Sequence, residues 1–197
     1  MTAVDPFDPG RQPAGRSPAP GRLGLVQAFT NSFWDLDADG ADAWAQLAGY
    51  RAWLGRRGFA GDRADDADRH RALALRDAIR SLALRRDQDA ARRTLDALAR
   101  TTPLRVRFDP QPRHEPAGDG PADALGLVLG VLAEAMADGT WERVKACPGP
   151  HCGWLFYDAS RNRSSQWCSM RICGNRVKGR EFRARARNDR ASVGSQN

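Results

Sequence analysis

Apolar residues recur at helical spacing through the first 140 residues of the chain. In the longest such segment, Leu75, Ile79 and Leu82 lie four and three residues apart, and charged residues fill the opposite face. This period marks the buried side of an amphipathic helix. It predicts five helices, with Asp42 as the cap of the second, over residues 22–33, 42–57, 64–86, 88–100 and 122–138.

The apolar period changes to two at residues 103–108, where Leu104, Val106 and Phe108 alternate with arginine. Such alternation predicts a strand. The proline-rich segment 109–121 that follows predicts a loop. The sequence therefore predicts a mainly α chain with a small amount of β structure, in the α+β class, with a helical domain over residues 22–140.

The two ends of the chain predict no packed structure. Residues 1–21 contain five of the twelve prolines and no apolar periodicity, which predicts a disordered tail, and we expect another over residues 191–197. The first residues do not resemble an export signal, because they combine acids and prolines without an apolar run. The longest apolar stretch, residues 124–133, is half of the roughly twenty residues that span a bilayer. We expect a soluble, cytoplasmic protein with no membrane contact.

Positive charge is concentrated after the predicted helical domain. Residues 1–140 hold 19 Lys and Arg against 20 Asp and Glu, whereas residues 141–197 hold 12 against 4. A basic region that follows a neutral one indicates contact with nucleic acid or another polyanion.

All four cysteines lie in this basic region, as two pairs with equal spacing: Cys147 with Cys152, and Cys168 with Cys173. In a reducing compartment, clustered pairs favour a metal site over disulfides. Four thiolates complete the tetrahedral shell of one structural Zn²⁺ and leave no position open to water. His151 is an alternative ligand to Cys152, although four cysteines complete the shell without it.

The elements around the cysteines predict a treble-clef-like zinc finger over residues 141–190. A tight turn joins the first pair, residues 154–157 predict a strand, residues 164–167 are predicted to pair back on it, and a helix follows Cys173. We interpret the aromatic residues as the small core of the finger, with stacking on bases as the alternative; they are Trp154, Phe156, Tyr157 and Trp167.

Four stretches of this region resemble the CGNR zinc finger: CGWLFYD at 152–158, SRNR at 160–163, WCS at 167–169 and ICGNR at 172–176. The family takes its name from the tetrad found here at 173–176. The helical region upstream resembles the ABATE domain, through its pattern and through FTN at 29–31. The resemblance implies a bacterial transcriptional regulator in which the four cysteines bind zinc and the finger binds DNA. We interpret the N-terminal domain as a sensor or dimerisation module.

The cations of the finger are the candidate contacts to nucleic acid. Arg176, Arg180, Arg183 and Arg187 fall on one face of a helix, and guanidinium groups suit phosphate oxygens. A solubilising basic tail is the alternative. The full candidate set is Arg161, Arg163, Arg171, Arg176, Lys178, Arg180, Arg183, Arg185 and Arg187. Asp158 and Asn175 are interpreted as residues that hold loops rather than read bases.

No catalytic constellation stands out, since His70 and His114 are isolated in polar surroundings. We therefore expect a regulator that binds DNA and catalyses no reaction. The alternative is a zinc-stabilised protein-interaction module that recruits an acidic partner. A homodimer and a small-molecule effector of the N-terminal domain are left open by the sequence.

Overall fold

The computed structural model describes residues 5–34, 41–180 and 183. Within them, five α-helices correspond to the five predicted segments: α1 Leu23–Asn31, α2 Leu47–Gly55, α3 Asp66–Ala83, α4 Gln88–Ala99 and α5 Pro121–Ala137. Four short strands complete the fold: β1 Arg105–Arg107, β2 Arg113–Glu115, β3 Val144–Ala146 and β4 Leu155–Tyr157. The predicted α+β class is confirmed.

Polar residues fix where the two longest helices begin. At the start of α3, the Asp65 carboxylate accepts a hydrogen bond from the backbone N–H of Asp68, and the Asp68 carboxylate accepts one from the N–H of Asp65. Such reciprocal bonds satisfy backbone donors that have no partner within the helix. In α5, Pro121 occupies the first turn and the Asp123 carboxylate accepts from the N–H of Gly120.

The core of the helical part combines an aromatic cluster with the apolar face of α5. Phe29, Trp44, Tyr50 and Trp53 are buried, and their rings meet edge to face with centroids 4.9 to 5.5 Å apart. α5 is buried along most of its length. Among the described residues, no helix combines the length and the apolar composition that a bilayer crossing requires.

Asp42 does not cap α2, which begins five residues later at Leu47. Its carboxylate instead binds the guanidinium of Arg76 through two hydrogen bonds of 2.8 and 2.7 Å, and also accepts from the N–H of Trp44. Arg76 projects from α3 and is 5% exposed. Burial disfavours the charged carboxylate, but its hydrogen bonds to Arg76 and Trp44 outweigh this and lower the pKa of Asp42. The prediction of a cap was wrong because this buried cation takes the carboxylate.

β1 pairs antiparallel with β2, which lies inside the segment predicted as a loop. β2 has the sequence RHE and therefore lacks the apolar alternation by which a strand is recognised. It packs on α5 at Gly130, where a Cβ atom would overlap the side chain of His114, and the Glu134 carboxylate accepts from the backbone N–H of His114. The packing on α5, and not its own pattern, makes this segment a strand.

β3 pairs antiparallel with β4, so the partner of β4 lies upstream and not at residues 164–167 as predicted. Val144 and Ala146 of β3 and Leu155 of β4 belong to the same buried cluster as the helices. The core is therefore continuous across the boundary that the sequence places at residue 140.

The end of α1 binds the backbone of β4. The side chain of Asn31 donates to the carbonyl of Leu155 at 2.8 Å and accepts from its N–H at 2.7 Å, as a neighbouring strand would. Gln27 donates to the same carbonyl at 3.3 Å. Two side chains of a helix thereby replace a strand at the free edge of β4.

Residues 1–21 are predicted as a disordered tail, but the part of this segment that the structure describes, residues 5–21, lies against both parts of the protein. Arg16 donates to the carbonyls of Cys168 and Trp167 at 2.9 and 2.8 Å, and its guanidinium stacks 4.4 Å from the ring centroid of Phe156. Ala19 is buried, and its N–H donates to Gln27. Such contacts come from single residues and leave no periodic pattern in a proline-rich sequence.

Arg16→Ala should loosen the region around Cys168. The change removes two charge-assisted hydrogen bonds to backbone carbonyls, which corresponds to about 2 kcal/mol. We expect amide hydrogen exchange in residues 165–174 to accelerate, by up to about thirtyfold. Arg93→Ala, which removes an exposed arginine of α4, is the control. Unchanged exchange in the Arg16 variant would show that this arm is not a structural element.

Asp42→Asn should destabilise the protein by about 2 kcal/mol at neutral pH, because it removes the charge of the carboxylate that binds the buried Arg76 through two hydrogen bonds and leaves only the exposed Asp77, 3.9 Å away. The folded-state pKa of Asp42 is depressed, so its contribution is present above the unfolded-state pKa and is lost as pH falls through the folded-state value. The difference in unfolding free energy between wild type and variant should therefore stay constant down to about pH 4 and narrow below it. Denaturant titrations at several pH values measure this difference, with the exposed Asp89→Asn as the control. A difference that does not narrow in acid would contradict the prediction.

Candidate metal centre and cationic face

The four cysteines come from three pieces of local structure. Cys147 follows β3 directly, and Cys152 precedes β4 after a turn in which its N–H donates to the carbonyl of Gly149. Gly153 has a φ of +67°, a left-handed conformation that favours glycine and returns the chain into β4. Cys168 ends the long loop after β4, and Cys173 lies in a single π-helical turn, Met170–Gly174, that leads into the final helix.

The sulfur atoms form a compact cluster in which all four lie within 4.8 Å of one another. The Sγ atom of Cys168 is 3.6 Å from those of Cys152 and Cys173. Four sulfurs around a tetrahedral zinc, each about 2.3 Å from the metal, lie about 3.8 Å apart. The cluster therefore fits one structural Zn²⁺, and it contains no histidine, so His151 is not part of it.

The electrostatics of the cluster also indicate a bound cation. Hydrogen bonds from Cys152 and Cys168 lower the pKa of the Cys147 thiol, and the same bonds to Cys147 raise the pKa of Cys152 and of Cys168. Burial raises the pKa of Cys173. The thiol of Cys147 thus ionises most readily, and its thiolate disfavours ionisation of Cys152 and Cys168. A divalent ion in the centre stabilises all four as thiolates, so metal binding and folding are coupled.

The aromatic residues of the finger surround this cluster. Trp154 and Phe156 are buried with three of the cysteines, and Trp167 is half-buried against them. Tyr157 packs against the core of the helices. These rings serve as core, as the sequence predicts, and Trp154 and Phe156 are not free to stack on bases.

Asp158 organises the loop between the two cysteine pairs. Its buried carboxylate accepts from the Nζ of Lys145 at 2.7 Å, the hydroxyl of Ser160 at 2.6 Å and the backbone N–H of Ser165 at 2.9 Å. Burial opposes its ionisation, but the hydrogen bonds from Lys145 and Ser160 outweigh this and hold its pKa well below the usual value. Asp158 therefore holds the loop, as predicted, and its carboxylate does not face a base.

The candidate cations are exposed wherever the structure describes them. Residues 175–180 are α-helical, which puts Arg176 and Arg180 on one face, and residue 183 is helical as well. Arg163 has the carboxylate of Glu142 at 3.3 Å. The others have no carboxylate partner among the described residues: Arg161, Arg171, Arg176, Lys178, Arg180 and Arg183. Arg185 and Arg187 lie outside the described residues.

Sequence reasoning did not distinguish two further cations of the finger that have structural partners. Arg143 donates to the carbonyls of Asp158 and Ser160, and Lys145 binds the buried Asp158. Both precede the first cysteine, on the side where β3 meets the loop. They flank Val144 at the start of β3, and this alternation of cation and apolar residue is the signal that could have separated them from the exposed cations.

Comparison with protein families assigns both parts of the chain. The model of the "CGNR zinc finger" matches residues 143–186, and the ABATE model, described as "Putative stress-induced transcription regulator", matches residues 23–139. Both resemblances drawn from the sequence are confirmed. A search of curated proteins finds no match to this chain.

Cys168→Ser should abolish stable zinc binding, because three thiolates leave the tetrahedral shell incomplete. We expect elemental analysis after dialysis to find one zinc per chain in the wild type and almost none in the variant. His151→Ala is the matched control and should retain the metal, since its side chain is exposed and outside the cluster. Full zinc content in the Cys168 variant, or its loss in the His151 variant, would contradict this ligand assignment.

Proposed function

The chain belongs to the ABATE family, and we propose that it regulates transcription in the cytoplasm by binding DNA through its zinc finger and the helix that follows Cys173. The proposal includes no catalysed reaction, because zinc with four thiolate ligands has no position open to water or substrate. The helical part would act as the sensor or dimerisation module.

The observation that supports DNA binding is a set of exposed cations without carboxylate partners on a metal-held framework. Arg176 and Arg180 share one face of the final helix and Arg183 is a further exposed cation, and the mutual repulsion of these charges offers no stabilising reason to gather them. Phosphate groups along a duplex supply such a reason, because cations that neutralise them release counterions. Contacts to phosphate position a protein on DNA without reading its sequence.

A protein partner with an acidic surface is the second candidate. Met170 and Ile172, beside these cations, are 48% and 37% exposed, and apolar residues among charges are common where proteins meet. The two candidates differ in their dependence on salt. The logarithm of the affinity for duplex DNA falls steeply and linearly with the logarithm of the salt concentration.

Arg180→Ala combined with Arg183→Ala should weaken binding to mixed-sequence duplex DNA and flatten its salt dependence. Removing two phosphate contacts lowers the log–log slope by roughly 1 to 2. Zinc content and thermal stability should stay nearly unchanged, because exposed substitutions move stability by less than about 0.5 kcal/mol. Fluorescence anisotropy of a labelled duplex at several salt concentrations measures the affinity and the slope.

The matched control is Arg92→Ala combined with Arg93→Ala, which removes the same charge from the exposed face of α4. This control should retain the wild-type slope. Wild-type affinity and slope in the Arg180 and Arg183 variant would remove this face from the DNA interface. Absence of DNA binding by the wild type at low salt would favour the acidic protein partner.

A further inference from the structure

A cavity of about 570 Å³ lies where the finger meets the helical part of the protein. Phe33 and Trp34, just after α1, line one side, and the finger contributes Ile172, Arg176 and Arg180 together with the turn between the first two cysteines. The zinc ligands Cys152, Cys168 and Cys173 also line the cavity, which therefore borders the metal centre. A volume of this size is in the range of sites that hold small molecules. The cavity is formed only while the two parts are docked.

The apolar wall of the cavity is held in place by its surroundings. The Phe33 ring lies 6.4 Å from the Trp154 ring, and the guanidinium of Arg80 stacks 3.9 Å from the Phe33 ring centroid. Arg80 is itself fixed by hydrogen bonds to the carbonyl of Thr30 and the carboxylate of Asp77. A wall fixed in this way offers a flat apolar ligand a surface that needs little reordering.

A second wall of the cavity is positively charged. Arg176 and Arg180 are four residues apart on one helical face and have no carboxylate partner among the described residues. Paired guanidinium groups bind carboxylates through charge-assisted hydrogen bonds, which are stronger beside an apolar surface than in open water. The cavity thus combines a flat apolar side with a site for one anionic group.

We propose that this cavity binds a small aromatic carboxylic acid, with its ring between Phe33 and Ile172 and its carboxylate on Arg176 and Arg180. The ligand does not coordinate the zinc, whose shell the four thiolates complete. Competition with DNA is a part of this inference that rests on the proposed function. The acid competes with DNA because the same guanidinium groups cannot hold a carboxylate and a phosphate together. Linkage then requires that DNA weaken acid binding by the factor by which the acid weakens DNA binding.

Calorimetry on the full-length, zinc-loaded protein tests the site directly. The probes are naphthalene-2-carboxylate and indole-3-acetate, each paired with its neutral amide. We expect saturable binding of an acid and at least about tenfold weaker binding of its amide, from the loss of charge-assisted hydrogen bonds. Arg176→Gln combined with Arg180→Gln should reduce the acid to the affinity of the amide, and Arg161→Gln, a change at an exposed cation outside the cavity wall, should not.

Val177→Phe separates this inference from the proposed function. Val177 lines the cavity without carrying charge, so the larger side chain fills the space and leaves the cations in place. We expect it to abolish acid binding while DNA affinity, salt slope and zinc content stay as in the wild type.

Three results would overturn the proposal: no saturable binding of either acid, acid binding that survives Val177→Phe, or a Val177→Phe variant that loses DNA affinity with its zinc intact. The last result would mean that the cavity receives part of the DNA. Because acid binding is measured without DNA, failure of the proposed function leaves the calorimetric outcome valid.

Discussion

Four cysteine sulfurs within 4.8 Å of one another cannot all carry negative charge unless a cation lies between them. The rest of the finger depends on this constraint. Zinc joins the turn after β3, the loop end at Cys168 and the π-helical turn that begins the last helix. Once joined, these pieces fix the direction in which that helix leaves the finger and hold its first arginines in place.

The basic residues of the finger fall into two groups: those that bind partners inside the finger and those that are exposed. Arg143 and Lys145 have partners inside the finger and hold the loop through Asp158. The cations from Arg161 to Arg183 are exposed, and among these described residues only Arg163 has a carboxylate partner. A neutral helical part and a basic finger thus differ in composition, although they share one core through Val144, Ala146 and Leu155.

Features encoded by local periodicity or by chemistry were predictable from the sequence. The helices follow from apolar spacing, as with Leu75, Ile79 and Leu82, and the zinc ligands follow from the equal spacing of two cysteine pairs. Features that depend on distant partners were not. β2 has no apolar alternation and forms because α5 receives it, and the contacts of Arg16 join residues about 150 positions apart. The cavity has the same origin, since no segment contributes more than a part of its wall.

The side-chain bonds between Asn31 and Leu155 also bear on how such proteins evolve. A finger that needs only zinc can be moved between proteins as a cassette. Here the edge of β4 requires an amide side chain on the recipient helix, and the carbonyls of Trp167 and Cys168 require an arginine from the N-terminal arm. A transferred finger that finds neither is left with unpaired backbone groups. Moving this finger to another protein would therefore require a recipient that supplies both contacts.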